Sequence, residues 1–303
     1  MRVAAIDVGT NSTRLLVAEE QVGGFRSIER RMTITRLGQG VDSRRILDPE
    51  ALQRTLATIA DYAATCGELG VEKLRVTGTS AVRDAQNREE FFEGVKLLTG
   101  TVPEMLTGEE EASATFLGTL SDLDDEGPVL VVDIGGGSTE LVVGKGREPS
   151  DIVSLDIGCV RMHEKYLESD PPSEAELSDM RAEVSEKLAA AKAILRVPAG
   201  ARLIGVAGTV TQLATLKTGI PVYDPDITHH FVLSHGDVRL LAKRLQSLTY
   251  SQRKLTAGLE PGRADVIVAG AEILLQVMET FDSAEVLVSE RDILDGLVIQ
   301  LLR

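Results

Sequence analysis

The sequence predicts an α/β protein built as two similar lobes, and three observations carry that prediction. One segment is repeated, strand-like and helix-like stretches alternate along the chain, and the composition is that of a globular protein. The repeat is the most telling. Val3-Ala-Ala-Ile-Asp7-Val-Gly9-Thr-Asn-Ser12-Thr-Arg14-Leu-Leu-Val17 returns 126 positions later as Val129-Leu-Val-Val-Asp133-Ile-Gly135-Gly-Gly-Ser138-Thr-Glu140-Leu-Val-Val143, with seven of fifteen positions identical. Each copy reads as an apolar strand, an acid, a small-residue turn and a second apolar strand. Such a hairpin offers backbone N–H groups and hydroxyls to an anion at its tip, with a carboxylate at its base. A long repeat carrying its own binding loop predicts two lobes facing each other across a cleft that holds the active site.

The 303 residues suffice for two domains of ordinary size, and 43% apolar with 26% charged residues fits a soluble globular protein. No apolar stretch approaches the roughly 20 residues of a membrane helix. A strand beginning at Val3 leaves no room for a signal peptide, so the cytoplasm is the expected location, with no membrane partner. Cys66 and Cys159 stand too far apart in sequence for a cysteine metal cluster or a disulfide framework. A net charge of −15 argues against a nucleic-acid partner. The exception is 26–45, where six arginines face only Glu29 and Asp42, a local balance of +4. That stretch reads equally as a phosphate-attracting patch or as a solvated surface.

The elements follow in order. After the first hairpin, Asp48-Pro49-Glu50 opens a helix with Leu52, Leu56, Ile59, Ala60 and Ala63 at helical spacing. Lys73–Thr77 is a strand feeding the loop 78–83, and Asn87-Arg-Glu-Glu90 reads as a capping box. Val102–Leu106 is a short strand before a helix that starts at Thr107-Gly-Glu-Glu-Glu-Ala112. The acidic stretch Ser121–Gly127 is the best linker, giving domains over 1–124 and 125–289, with a helix over 290–303 able to pack back on the first. The second half adds a strand at Ile152–Leu155, a helix from the Ser173 capping box, and a strand Arg202–Val206 entering Ala207-Gly208-Thr209. Helices over Gly262–Thr280 and Ile293–Leu302 flank a strand at Glu285–Val288. Strands alternating with helices predict largely parallel or mixed sheets.

Asp7 and Asp133 each end a strand where a phosphate-type loop begins, and in register twice this suggests a cation or water rather than turn-capping. Gly9, Thr10, Asn11 and Ser12, with Gly135, Gly136, Gly137 and Ser138, supply the donors. Arg14 in the first copy becomes Glu140 in the second, which would give an arginine to clamp phosphate and a carboxylate to hold a metal or water. Gly208-Thr209 between strand and helix is a third cradle, and Arg83 in a Gly/Thr/Ser loop a second clamp. Within Glu109-Glu110-Glu111, Glu110 can close a capping box with Thr107, and spacing alone does not say which glutamate faces the ligand. His163, His229, His230 and His235 show no metal-ligand spacing. A Walker lysine and a Gly-x-Ser-x-Gly elbow are both missing from the sequence.

Asp7-x-Gly-Thr-Asn-Ser, Thr79-Ser-Ala-x-Arg83-x-Ala-x-Asn87, Gly108-x-Glu-Glu-Ala112, Asp133-Ile-Gly-Gly-Gly-Ser-Thr-Glu140 and Gly262-Arg-Ala-Asp-Val-Ile together resemble the exopolyphosphatase / guanosine pentaphosphate phosphohydrolase (Ppx/GppA) family. That family belongs to the actin, sugar-kinase and heat-shock-chaperone ATPase superfamily. The resemblance, to its short two-domain type, runs from Val3 to about Gly296. It implies two actin-like (ribonuclease H-like) lobes with mixed sheets flanked by helices. It also implies removal of a terminal phosphate by water, a Mg²⁺ requirement with Mn²⁺ as the alternative, K⁺ stimulation, and a homodimer as the candidate assembly. The family's catalytic glutamate falls on Glu111, which would orient the attacking water. Asp133 and Glu140 match the acidic pair around metal and phosphate; Asp7 is expected as a further metal ligand from its own place at the base of the first loop. The loops 9–12, 135–138 and 208–209, with Arg14 and Arg83, match phosphate binders. The implied substrate is inorganic polyphosphate, with guanosine pentaphosphate of the stringent response as the alternative. A non-catalytic actin-like nucleotide-binding protein is the alternative of another class. Two departures stand out: Ala207 where the family often has glycine, and Ile293-Leu294-Asp295-Gly296 for the usual Leu-Arg-Glu-Gly.

Overall fold

A computed structural model describes residues 1–123 and 127–303. The chain divides into two compact units, Met1–Ser121 with Arg291–Arg303, and Asp122–Glu290. The expected boundary at 124/125 and part of the expected linker lie outside the described residues. The return crossing falls one residue later than the sequence suggested.

In the first unit, β1 (Arg2–Val8), β2 (Ser12–Gln21), β3 (Gly24–Ile34), β4 (Lys73–Gly78) and β5 (Glu104–Met105) form a sheet of order β3-β2-β1-β4-β5. The first three strands are antiparallel and β4 runs parallel to β1, so the sheet is mixed. Both faces of β1 are buried, which explains its unbroken apolar run. The helix Pro49–Glu68 covers one face with Leu52, Ile59 and Tyr62. On the other, Val3, Ala5 and Leu16 pack with Ile293, Leu294 and Leu297 from the helix Ile293–Leu301. Each such side chain fully buried contributes roughly 1.5–3 kcal/mol. That last helix lies against Gly108–Thr119 at backbone contact: a Cβ on Gly296 would come 1.8 Å from the Ala114 carbonyl oxygen.

The second unit repeats the plan. β6 (Pro128–Ile134), β7 (Thr139–Lys145), β8 (Glu148–Leu155), β9 (Arg202–Val206), β10 (Val232–Ser234) and β11 (Glu285–Val288) are ordered β10-β11-β9-β6-β7-β8. β6 pairs antiparallel with β7 and parallel with β9, as β1 does with β2 and β4. β10 is the addition. Among the described residues no helix is long and apolar enough to cross a membrane.

Three local expectations are corrected. Asn87 does not form a capping box. Its Oδ1 accepts the Leu47 N–H at 2.8 Å instead of a helix N–H, while its Nδ2 donates to the Leu47 carbonyl and to Glu90 Oε1 at 3.3 Å. The strand expected over Val102–Leu106 shrinks to Glu104–Met105, paired only with Thr77 and Gly78. The helix expected from Gly262 begins at Ile267, preceded by a single 3₁₀ turn Pro261–Arg263 and by Asp265, whose carboxylate accepts the Val266 N–H. By contrast, the Asp48 cap and the Thr107/Glu110 and Ser173/Glu176 capping boxes form as the spacing requires.

Candidate active site

The two hairpins are alike in detail. Gly9 N–H donates to the Ser12 carbonyl at 2.9 Å, and Gly135 N–H to the Ser138 carbonyl at 3.0 Å. In the first loop, the Thr10 carbonyl accepts from Gly38 N–H and the Asn11 carbonyl from Thr35 and Arg36 N–H. In the second, the Gly135 carbonyl accepts from Cys159 N–H, Gly136 from Val160 and Arg161 N–H, and Gly137 from Arg161 Nε at 2.7 Å. Across a trans peptide the N–H points opposite to the C=O. Pinning these carbonyls therefore turns the N–H groups of Asn11 and Ser12, and of Gly136, Gly137 and Ser138, the other way. Successive N–H groups turned to one side are able to serve an anion. The close backing explains a glycine as well: a Cβ on Gly158 would come 2.3 Å from the Gly136 carbonyl carbon.

Among the described residues, Thr10 Oγ1 and Asn11 Nδ2 are buried without a hydrogen-bond partner. Leaving a buried polar group unsatisfied costs about 1–3 kcal/mol. Donors kept at that cost beside these N–H groups suit an oxyanion ligand.

The acids sit directly opposite the residues the repeat pairs them with, Asp7 with Arg14 and Asp133 with Glu140. Opposed residues share a face of the sheet. In the first unit this gives an ion pair, Arg14 Nη2 to Asp7 Oδ2 at 2.6 Å, with Arg14 Nη1 also donating to Asp292. Burial pushes the Asp7 carboxyl above its ordinary value, against the pull of Arg14 and the Thr77 hydroxyl. The expected phosphate clamp is thus shared by two carboxylates, and the expected metal ligand Asp7 is charge-matched by an arginine. In the second unit two nearly inaccessible carboxylates lie side by side, and Ser154 donates to Glu140 Oε1 at 2.7 Å. An all-oxygen pair of this kind suits a hard divalent cation.

The three glutamates are separated by their partners. Glu110 accepts from both Thr107 N and Oγ1, which holds its carboxyl below the ordinary value. Glu109 is exposed. Glu111 is half-buried and takes Arg83 Nη1 on Oε2 at 2.8 Å, and the same nitrogen donates to the Leu106 carbonyl. Arg83, expected to clamp phosphate, is here tied to the expected base.

The third loop holds a strained residue. Ala207 has φ +66°, a left-handed conformation that favours glycine. Gly208 follows with the Arg263 guanidinium over it, 2.1 Å from where a Cβ would stand, and Thr209 is buried. Arg161 and Arg263 are cations beside the second-unit loops that sequence reasoning did not single out. For Arg263 the signal was its place in the Gly262-Arg-Ala-Asp motif.

The arginine-rich segment is largely compensated: Arg26 by Glu19, Arg30 by Asp295, Arg31 by Glu29 and Asp61, Arg44 by Asp48, and Arg45 by Asp84. Its reading as a solvated, ion-paired surface fits better than a basic patch. The histidines hold one surprise. His229 and His230 stack at 3.7 Å, and with Asp122 they bring three potential ligand atoms within 4.8 Å of one another. However, His229 Nδ1 accepts the Glu290 N–H at 3.1 Å. Its proton therefore sits on Nε2, the atom facing Asp122 at 2.9 Å. A protonated nitrogen has no lone pair for a metal.

Two mixed-sheet units, each built around a carbonyl-pinned hairpin with an acid at its base, define a two-unit α/β protein. The chain belongs to the Ppx/GppA phosphatase family, whose sequence profile matches residues 16–303, and it is accordingly a phosphatase. It is 40% identical over 314 aligned positions to exopolyphosphatase 2 of Mycobacterium tuberculosis, covering 99% of this chain and 98% of that one. The crystal structure of an exopolyphosphatase-like protein superposes with a TM-score of 0.95 at 34% identity, covering 100% and 99% of the two chains. A guanosine-5′-triphosphate,3′-diphosphate pyrophosphatase of Vibrio parahaemolyticus is 27% identical over 99% of this chain and 59% of its own length.

Proposed function

We propose that this phosphatase is an exopolyphosphatase, releasing terminal orthophosphate from inorganic polyphosphate by attack of water. The observation that carries the reading is the pair of anion loops with pinned carbonyls, one in each unit, in a chain that also holds Glu111 on an arginine. Phosphoryl transfer asks a protein mainly for positioning and charge neutralisation, and these are the groups for it. In this reading the N–H groups of Asn11, Ser12, Gly136, Gly137 and Ser138 and the third loop at Gly208-Thr209 bind phosphate oxygens, while those of Gly9 and Gly135 are spent on closing their own turns. Arg14, held between Asp7 and Asp292, keeps a guanidinium at the base of the first loop, its charge balanced by those two acids. Glu111, held by Arg83, orients the water and takes its proton. Asp133 and Glu140 would hold a divalent cation, Mg²⁺ or Mn²⁺, which when bound neutralises phosphate charge and organises the oxygens around it. The same reading places the enzyme in the cytoplasm.

Guanosine pentaphosphate is the second candidate substrate, favoured by the relative at 27% identity and disfavoured by the higher identity to an exopolyphosphatase. Phosphate release from long polyphosphate, tripolyphosphate, guanosine pentaphosphate and ATP, with Mg²⁺, Mn²⁺ and K⁺ varied in turn, tests the reading. Polyphosphate is expected to be the best substrate. Faster release from the nucleotide would transfer the reading to the pentaphosphate.

A further inference from the structure

We propose that Asp292 is a positioning residue for the reaction, holding one end of the Arg14 guanidinium while Asp7 holds the other. The proposal rests on the phosphohydrolase reading above. The strand register brings Arg14 opposite Asp7, but a single ion pair leaves the guanidinium plane free to turn. Asp7 takes Nη2 and Asp292 takes Nη1, so two carboxylates on two nitrogens define that plane.

Asp292 is itself held. Its Oδ1 caps the last helix by accepting Leu294 N–H at 3.0 Å, and its own N–H donates to Asp295 Oδ2 at 3.0 Å. Asp295 is fully buried and gripped by Arg30 at 2.7 Å and Arg291 at 2.8 Å. The backbone is equally confined, since a Cβ on Gly118 would stand 1.9 Å from the Asp292 carbonyl oxygen.

The second hairpin serves as an internal control. It has the same register and turn hydrogen bond, with Glu140 in the place of Arg14 and a serine hydroxyl on it. The hairpin thus forms without an arginine held between two acids, and the grip of Asp292 is an addition to it. Capping the helix does not require the charge either. Asparagine caps as well as aspartate, and only Oδ1 is used for the cap.

The test compares full-length Asp292→Asn and Asp292→Ala with the unaltered protein. It reads the melting temperature, kcat and KM on tripolyphosphate with Mg²⁺, and the NMR signals of the Arg14 guanidinium, assigned through Arg14→Lys. Asp292→Asn is expected to melt within a few degrees of the parent, to lose about tenfold or more in kcat without a rise in KM, and to show averaged Arg14 signals. Asp292→Ala should also lose melting temperature. Parental kcat in folded Asp292→Asn, or Arg14 signals that do not change, would overturn the proposal. If the parent hydrolyses no polyphosphate at all, the functional reading fails, and the NMR comparison still decides whether Asp292 holds Arg14.

Discussion

Arg83 and Glu111 form an ion pair at 2.8 Å, on side chains that are 21% and 12% exposed. The pair joins two helices, Ser80–Asp84 and Gly108–Thr119, and anchors the Glu111 carboxylate through Oε2. A general base must be in the right place before its basicity matters. Glu111→Gln keeps a hydrogen-bond acceptor for Arg83 and removes the base. Turnover should fall by about 10² or more with little change in melting temperature. Arg83→Met should lower kcat with Glu111 intact, because the carboxylate loses its anchor. Steady-state kinetics on tripolyphosphate with parallel circular dichroism reads both, and full turnover in folded Glu111→Gln would move the base elsewhere.

The side-by-side carboxylates of Asp133 and Glu140 give a second expectation. If they hold the divalent cation, removing one charge weakens it. Glu140→Gln should raise the Mg²⁺ concentration for half-maximal activity by about tenfold or more, and excess Mg²⁺ should restore part of the rate. A Mg²⁺ titration that superposes on the parent's would remove Glu140 from the metal.

Much of this frame was legible in the chain. The repeated strand–acid–turn–strand phrase located both hairpins, and local rules located the caps at Asp48, Thr107 and Ser173, because a cap depends on residues two or three positions away. What escaped depends on residues far apart. Asp292 reaches Arg14 across 278 positions, His229 meets Asp122 across 107, and Arg263 covers Gly208 from another element. Asn87 shows the same competition in miniature: its spacing satisfied the capping rule, yet the Leu47 N–H took the carbonyl oxygen that a cap would have used. Among Glu109, Glu110 and Glu111, the capping rule could remove one candidate. Only the fold showed that Arg83 stands beside another.

Ala207 permits a stability test at the edge of the site. A non-glycine residue in the left-handed region costs about 1–2 kcal/mol, part of which glycine returns in unfolded-state entropy. Ala207→Gly should therefore raise stability by up to about 1 kcal/mol, read as a higher urea midpoint at unchanged slope. A lower midpoint would mean that the methyl group packs better than its backbone conformation suggests.

Both cysteines should be inert in the folded protein. Burial raises the Cys66 thiol to about 11 and also pushes Cys159 up, so neither is a thiolate near neutral pH. Labelling with a thiol reagent at pH 7–8 should wait for unfolding, and the rate should climb in parallel with denaturation. Rapid labelling of the native protein would show a local opening at one of these sites.

Two glycines in the second unit separate binding from folding. At Gly208 a new methyl group would meet the end of the Arg263 side chain, which can swing aside. At Gly158 it would meet the backbone of Gly136 and Gly137, which cannot yield without reshaping the anion loop. Forcing atoms into a packed site costs typically about 1–3 kcal/mol, and more when the obstacle is backbone. Gly208→Ala should thus keep the melting temperature within a few degrees and lose activity, because Arg263 is displaced from the third loop. Gly158→Ala should lose melting temperature and activity together. Measuring both variants side by side decides the matter: equal loss of stability would show that Arg263 is locked in place, and full activity in Gly208→Ala would show that the arginine over the third loop takes no part in binding phosphate.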